Sequence, residues 1–130
     1  MKISGIYIVQ LKNEVLMPVT RDVRYVEICA KVNRANIKVG KAKDFALRES
    51  DYWNEFDEEN VLFEPLAEMD DIVTAEREIL RALKQFRKLS PKGRKLEWLE
   101  GISYEEAKCV VFTTLDEQGI EYTPVTNETY

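Results

Sequence analysis

Three strand-forming segments precede the first helix of this chain, an order that does not support the alternating strand–helix plan of parallel α/β proteins. Residues 3–11, ISGIYIVQL, are rich in β-branched and aromatic side chains and read as a strand, with Pro18 breaking any continuation. A second strand is predicted over 23–32, VRYVEICAKV, followed by a polar turn from Asn33 to Asn36 and a short strand, IKVGK, at 37–41. Asp44 suits the N-cap of a helix over 45–56, in which Phe45, Tyr52 and Phe56 fall at helical spacing. Residues 61–66, VLFEPL, read as the last strand and as an edge, because Pro65 has no N–H to give a ladder. Asp70 or Asp71 then opens a helix over 72–88 that SPKG at 90–93 ends. Ser103 and Glu106 form a capping box for a helix over 104–118, stopped by Gly119, and the tail from Thr123 is polar and expected to fray. The order β-β-β-α-β-α-α predicts an α+β fold, a small and mostly antiparallel sheet of three to four strands flanked by helices.

At 130 residues, 45% hydrophobic and 33% charged, the chain reads as one soluble folded domain. No apolar run approaches the roughly 18 residues of a membrane span, and MKISGIYIVQLKNE at the start has no secretory-signal pattern. Histidine is absent, which removes Ser-His-Asp triads, Cys-His nucleophiles and histidine-bearing zinc sites. The two cysteines, Cys29 and Cys109, make no CxxC pair and read as buried thiols of a reducing, cytoplasmic protein. Neither GxGxxG nor a P-loop occurs, so chemistry falls to carboxylates, tyrosines, lysines and arginines. A net charge of −5 argues against a generic DNA-coating protein, yet charge is segregated. No Lys or Arg interrupts the acids between Glu49 and Asp71, whereas Arg77 to Lys95 is basic but for Glu78. The basic block suits either phosphates or a solvated helix face.

One residue breaks its pattern. On the 72–88 helix, with Ile72 at zero and about 100° per residue, Leu83 falls near 20°, Ile79 near 340° and Glu76 near 40°. Glu76 therefore lies inside the apolar stripe of Ile72, Ile79, Leu83 and Phe86, with Glu78 roughly opposite and facing solvent. A carboxylate there needs a cation, a hydrogen-bond partner or a cleft. The structural reading is a Glu that snorkels to water or pairs with Arg48 or an arginine of its own helix. The functional reading is a hard-metal ligand, since few carboxylates, waters and phosphate oxygens commonly hold Mg²⁺.

Gly5-Ile6-Tyr7 on the first strand, Lys38-Val39-Gly40 ending a later one, Arg48 eight residues beyond Gly40 and Tyr52 one turn further complete a pattern with Glu76. Ala75-Glu76 with Leu80, Leu83 and Phe86, and Gly93-Arg94-Lys95-Leu96-Glu97-Trp98 after it, extend that pattern over about residues 3 to 100. Together they resemble the GIY-YIG endonuclease superfamily, most of all its phage and bacterial branch with a Lys-Ile-Gly second motif. Departures are the long stretch between Tyr7 and Lys38, Lys38 in place of the motif's tyrosine, and Ala42 in place of the usual Thr. The resemblance assigns 1–100 to a nuclease domain with an insertion at about 18–36, leaving 101–122 as a helix packed on it and 123–130 as a tail.

The resemblance implies an endonuclease that hydrolyses nucleic-acid phosphodiester bonds with one Mg²⁺ or Mn²⁺, on DNA in the first instance and away from membranes. Tyr7 would be the general base, its phenol made acidic by Lys38 or Lys41. Arg48 would stabilise charge on the scissile phosphate, Tyr52 would orient it or relay a proton, and Glu76 would hold the metal. Lys41, Lys43, Arg81 and Lys84 are the candidates for binding the substrate. Such a site would set Tyr7, Lys38, Arg48 and Glu76 on one concave, solvent-open face, whereas a buried Glu76–Arg48 pair without a cleft would mark a structural role. Trp53, Trp98 and Tyr104 read as packing aromatics. Two other readings stand beside the nuclease: a docking module that kept this fold without efficient cleavage, and an acidic protein that binds a partner through residues 49–71.

Overall fold

The structure, a computed structural model, describes residues 2–18, 29–89 and 95–126. Among the described residues it is an α+β fold with eight strands and three α-helices: β1 Gly5–Leu11, β2 Val15–Pro18, β3 Cys29–Val32, β4 Ile37–Ala42, α1 Phe45–Phe56, β5 Val61–Glu68, α2 Ile72–Ala82, β6 Arg87–Leu89, β7 Lys95–Leu99, α3 Tyr104–Glu117 and β8 Thr123–Pro124. Six strands make one sheet in the order β6-β7-β4-β1-β5-β8, every neighbouring pair antiparallel. The sheet is therefore larger than the three to four strands expected.

β1 is central and nearly all buried because its two faces serve two cores. Ile6 and Ile8 join Ile37 and Val39 of β4 beneath α2 and α3, where Ala75, Ile79, Ala107, Val111 and Leu115 close one core. Tyr7, Val9 and Leu11 pack on the opposite face against Phe45, Tyr52 and Phe56 of α1, with Trp98 of β7. The Asp44 carboxylate caps α1 by accepting from the Ala46 N–H at 3.1 Å, and Ser103 and Glu106 form a complete capping box on α3.

Several boundaries differ from expectation. The 72–88 helix ends at Ala82, passes through a 3₁₀ turn at Lys84–Phe86 and becomes β6. An apolar stripe running through Phe86 masked this end, and pairing with β7 overrides it. The segment 95–99, given no element from sequence, supplies that partner. β2 was missed because Pro18 closes a strand only four residues long. With β3 it forms a separate two-stranded ribbon within the long stretch between Tyr7 and Lys38. The strand expected over 23–32 is seen at 29–32, its earlier residues and the 90–93 turn lying outside the described residues. β5 is not the last strand, although only the two residues of β8 border its far side. Pro65 stands opposite Tyr7 at a register shift, a place where a missing N–H is tolerated. The tail does not fray at Thr123, since β8 pairs with β5 and the Val125 N–H donates to the Leu66 carbonyl at 2.9 Å. Cys109 is exposed on the outer side of α3, opposite the inward Ala107, Val111 and Leu115, and not buried as expected. No helix among the described residues is long and apolar enough to cross a membrane.

Both motif glycines have steric causes. A Cβ on Gly5 would fall on the Ala67 carbonyl oxygen of the adjacent strand. One on Gly40, which faces Tyr7 across the β1–β4 ladder, would lie 2.5 Å from the Tyr7 hydroxyl. Gly5→Ala is expected to destabilise the protein by about 3 kcal/mol or more, because backbone must move, and Gly40→Ala by about 1–3 kcal/mol, because a ring must. Urea unfolding of the two variants beside the parent measures both, and a neutral Gly5→Ala would contradict the packing described.

Candidate active site at the open edge of β4

β7 pairs with β4 only at Ile37 and Lys38, so Val39 to Ala42 have no second strand beside them among the described residues. An unpaired strand edge leaves N–H groups that need partners. Glu76 of α2 supplies one: its Oε2 accepts the Lys41 backbone N–H at 3.1 Å, while its Oε1 takes the Lys41 ammonium at 2.7 Å. The Glu in the apolar stripe is thus half-buried and paired, with Lys41 in place of the arginine partners considered from sequence. Glu78, expected in solvent, is largely enclosed between Arg77 and Arg81, whose guanidinium groups both lie 3.4 Å from its carboxylate.

Along this edge runs a cleft of about 170 Å³ lined by Tyr7, Lys38, Val39, Gly40, Lys41, Arg48, Glu76, Leu80 and Glu97. Strand alternation lets β4 feed it from both faces. Lys38 and Gly40 point to the α1 side with Tyr7 and Arg48, and Lys41 to the α2 side with Glu76. Tyr7, Lys38, Lys41, Arg48 and Glu76 therefore line one cleft, Tyr7 from its floor with 2% of its surface exposed, and no buried Glu76–Arg48 pair forms. Arg48 is exposed and makes no ion pair among the described residues. Tyr52, one turn along α1 from Arg48, stands behind Tyr7, their hydroxyls 2.8 Å apart.

Lys43 lines a larger neighbouring hollow of about 710 Å³ that shares Lys41 and Arg48 with the cleft. Arg81 and Lys84 are exposed and do not line the cleft, so the structure does not bring them to the candidate site. Lys92 and Arg94 of the basic block lie outside the described residues.

Glu97 escaped the sequence reading, where it appeared only within a terminal motif. It binds the Lys38 ammonium at 2.9 Å, and that contact holds its carboxyl below the usual range. Lys38 also lies over the Tyr52 ring, 5.4 Å from its centroid. The charge on Lys38 is thereby shared between a carboxylate and a ring and is not aimed at Tyr7 alone.

Here an expectation fails. Burial raises the Tyr7 phenol well above its ordinary value, and Tyr52 adds to that rise; the lowering by Lys38 and Arg48 is smaller. Tyr52 is likewise raised, chiefly by burial. Tyr7 is only 2% exposed, so the lysines do not make its phenol acidic.

Among the described residues no group of three or more His, Cys, Asp or Glu side chains is placed to hold a metal. Glu76 suits a hard cation, being a carboxylate that lines a cleft, with its Oε2 held by a backbone amide and its Oε1 on the ammonium of a side chain 40% exposed. None of the family models, curated proteins or solved structures compared with the chain matches it. Fold and site together define an α+β protein with a cationic cleft at an open strand edge.

If Tyr7 titrates as its burial dictates, alkaline difference absorbance shows at least one tyrosine that stays protonated beyond pH 10, and Tyr7→Phe changes the number of late-titrating rings. Titration of every tyrosine near pH 10 would contradict the site.

Proposed function

We propose that the cleft binds and hydrolyses a phosphodiester and that the protein is an endonuclease acting on nucleic acid, DNA in the first instance. The observation that carries this reading is the meeting of Tyr7, Lys38, Lys41, Arg48 and Glu76 in one small cleft, drawn from β1, β4, α1 and α2. An anion entering there meets the exposed Arg48, two lysines paired with Glu97 and Glu76, and the open edge of β4.

Arg48, without an ion pair of its own among the described residues, receives the scissile phosphate and stabilises the charge that grows on it. Lys41 gives a second contact. Tyr7 orients the attacking water through its hydroxyl, which shares a hydrogen bond with the Tyr52 hydroxyl, and the small phenolate fraction serves as base. Lys38, clamped by Glu97 and the Tyr52 ring, keeps positive charge beside both phenols. Glu76 is the residue that would hold one Mg²⁺ or Mn²⁺, which supplies charge neutralisation on the phosphate and the leaving 3′ oxygen.

Two observations favour a second reading, a weakly active or inactive docking module of the same fold: the Tyr7 proton is tightly held, and both oxygens of Glu76 are already engaged. Nicking of supercoiled plasmid with Mg²⁺ or Mn²⁺, beside EDTA, separates the two. The nuclease reading predicts metal-dependent nicking that Glu76→Gln abolishes and Arg48→Ala slows about 10²–10³-fold. It also predicts a rate that climbs with pH through pH 10 without levelling, because a base with a raised pKa gains its active, deprotonated form throughout that range. Nicking that survives Glu76→Gln, or no nicking under any of these conditions, would contradict it.

A further inference from the structure

The two hydrogen bonds that Glu76 accepts come from one residue and differ in kind. The bond from the Lys41 backbone amide to Oε2 satisfies a strand edge and is part of the fold. The bond from the Lys41 ammonium to Oε1 is not, for the side chain that makes it is 40% exposed and long enough to turn elsewhere. Oε2 thus holds the carboxylate in place while Oε1 is left to whichever cation reaches it. The other cleft lysine does not compete for it, since Lys38 is held by Glu97 at 2.9 Å. Arg48 remains exposed and unpaired among the described residues, ready to meet an anion first.

We propose that Lys41 is the resident cation of Glu76 and gates the carboxylate against divalent ions, releasing Oε1 when a phosphodiester draws the ammonium away. The inference rests on the nuclease reading, in which Glu76 is the metal ligand. It assigns Lys41 a second task besides contacting substrate. With no phosphodiester present, ammonium and metal contend for one oxygen, and metal binding is weak. With one present, the ammonium moves to the phosphate and the two ligands bind with positive coupling, which by linkage must be reciprocal. A single-metal site guarded in this way stays closed to cellular divalent ions until substrate arrives.

Mn²⁺ binding to the full chain, read from the electron paramagnetic resonance signal of the free ion, tests this without any turnover. Lys41→Met keeps the backbone amide and the aliphatic stem, and Lys41→Gln serves as a second variant should the first fail to fold. The expected result is weak binding by the parent, binding about 10-fold tighter in the Lys41 variant, and loss of that gain when Glu76→Gln is added. Dimethyl phosphate, a diester with little affinity for Mn²⁺, should tighten binding by the parent more than by the Lys41 variant, in which no ammonium has to leave. Equal, Glu76-dependent affinities in parent and variant would overturn the gate while leaving Glu76 as a metal ligand. A parent unaffected by dimethyl phosphate would overturn the coupling. Absence of Mn²⁺ binding in every variant would overturn the gate and the metal reading together.

Discussion

Among the described residues, β4 has a neighbour on both sides at Ile37 and Lys38 and on one side only from Val39 onward. A half-covered strand must hand its outward amides to something other than a ladder. Glu76 does so for Lys41, and it reaches because α2 lies over the face of the sheet built by Ile6, Ile8 and Val39. The stripe of Ile72, Ala75 and Ile79 that buries α2 thereby also delivers a carboxylate to the strand edge. Remove the gap beside Val39 and the cleft closes; remove the helix and an edge amide is left open.

On the other face, Tyr7 depends on a glycine. Its ring crosses β4 where a side chain would stand, and Gly40 leaves the room. Tyr52 then meets it from α1, with Phe63 stacked on its other flank at 4.7 Å between ring centroids. Packing of this kind raises both phenols by excluding water, and no buried side-chain polar atom among the described residues is left without a partner. The chain carries a net charge of −5, yet three cations face two carboxylates in the cleft. Acids gathered between Glu49 and Asp71 balance the whole molecule while the open edge stays cationic, so overall charge is a poor guide to what this cleft attracts.

Local patterns carried much of this into the sequence. The Asp44 cap and the spacing of Phe45, Tyr52 and Phe56 place α1 at the residues it occupies, and the Ser103–Glu106 box places the start of α3. Glu76 was legible because a carboxylate in an apolar stripe must answer to something. Its partner was not, since strand edges are made by pairings far apart in sequence, and only the early departure of β7 sets Lys41 free to reach it. The end of α2 was hidden for the same reason: periodicity through Phe86 cannot reveal that Arg87–Leu89 pair with a strand still to come. The tyrosine's acidity was misjudged because neighbouring lysines can be read from a sequence and burial of a strand residue cannot be weighed against them.

The proposed binding of a phosphodiester at the open edge of β4 underlies the role given to each residue of the cleft. An amide NMR titration of the protein with a short DNA duplex tests it most directly. Shifts concentrated at Val39 to Lys41, Arg48 and Glu76 are expected, with the outer surface of α3 silent. Saturating DNA that leaves those amides unmoved, or moves only residues away from the cleft, would contradict it.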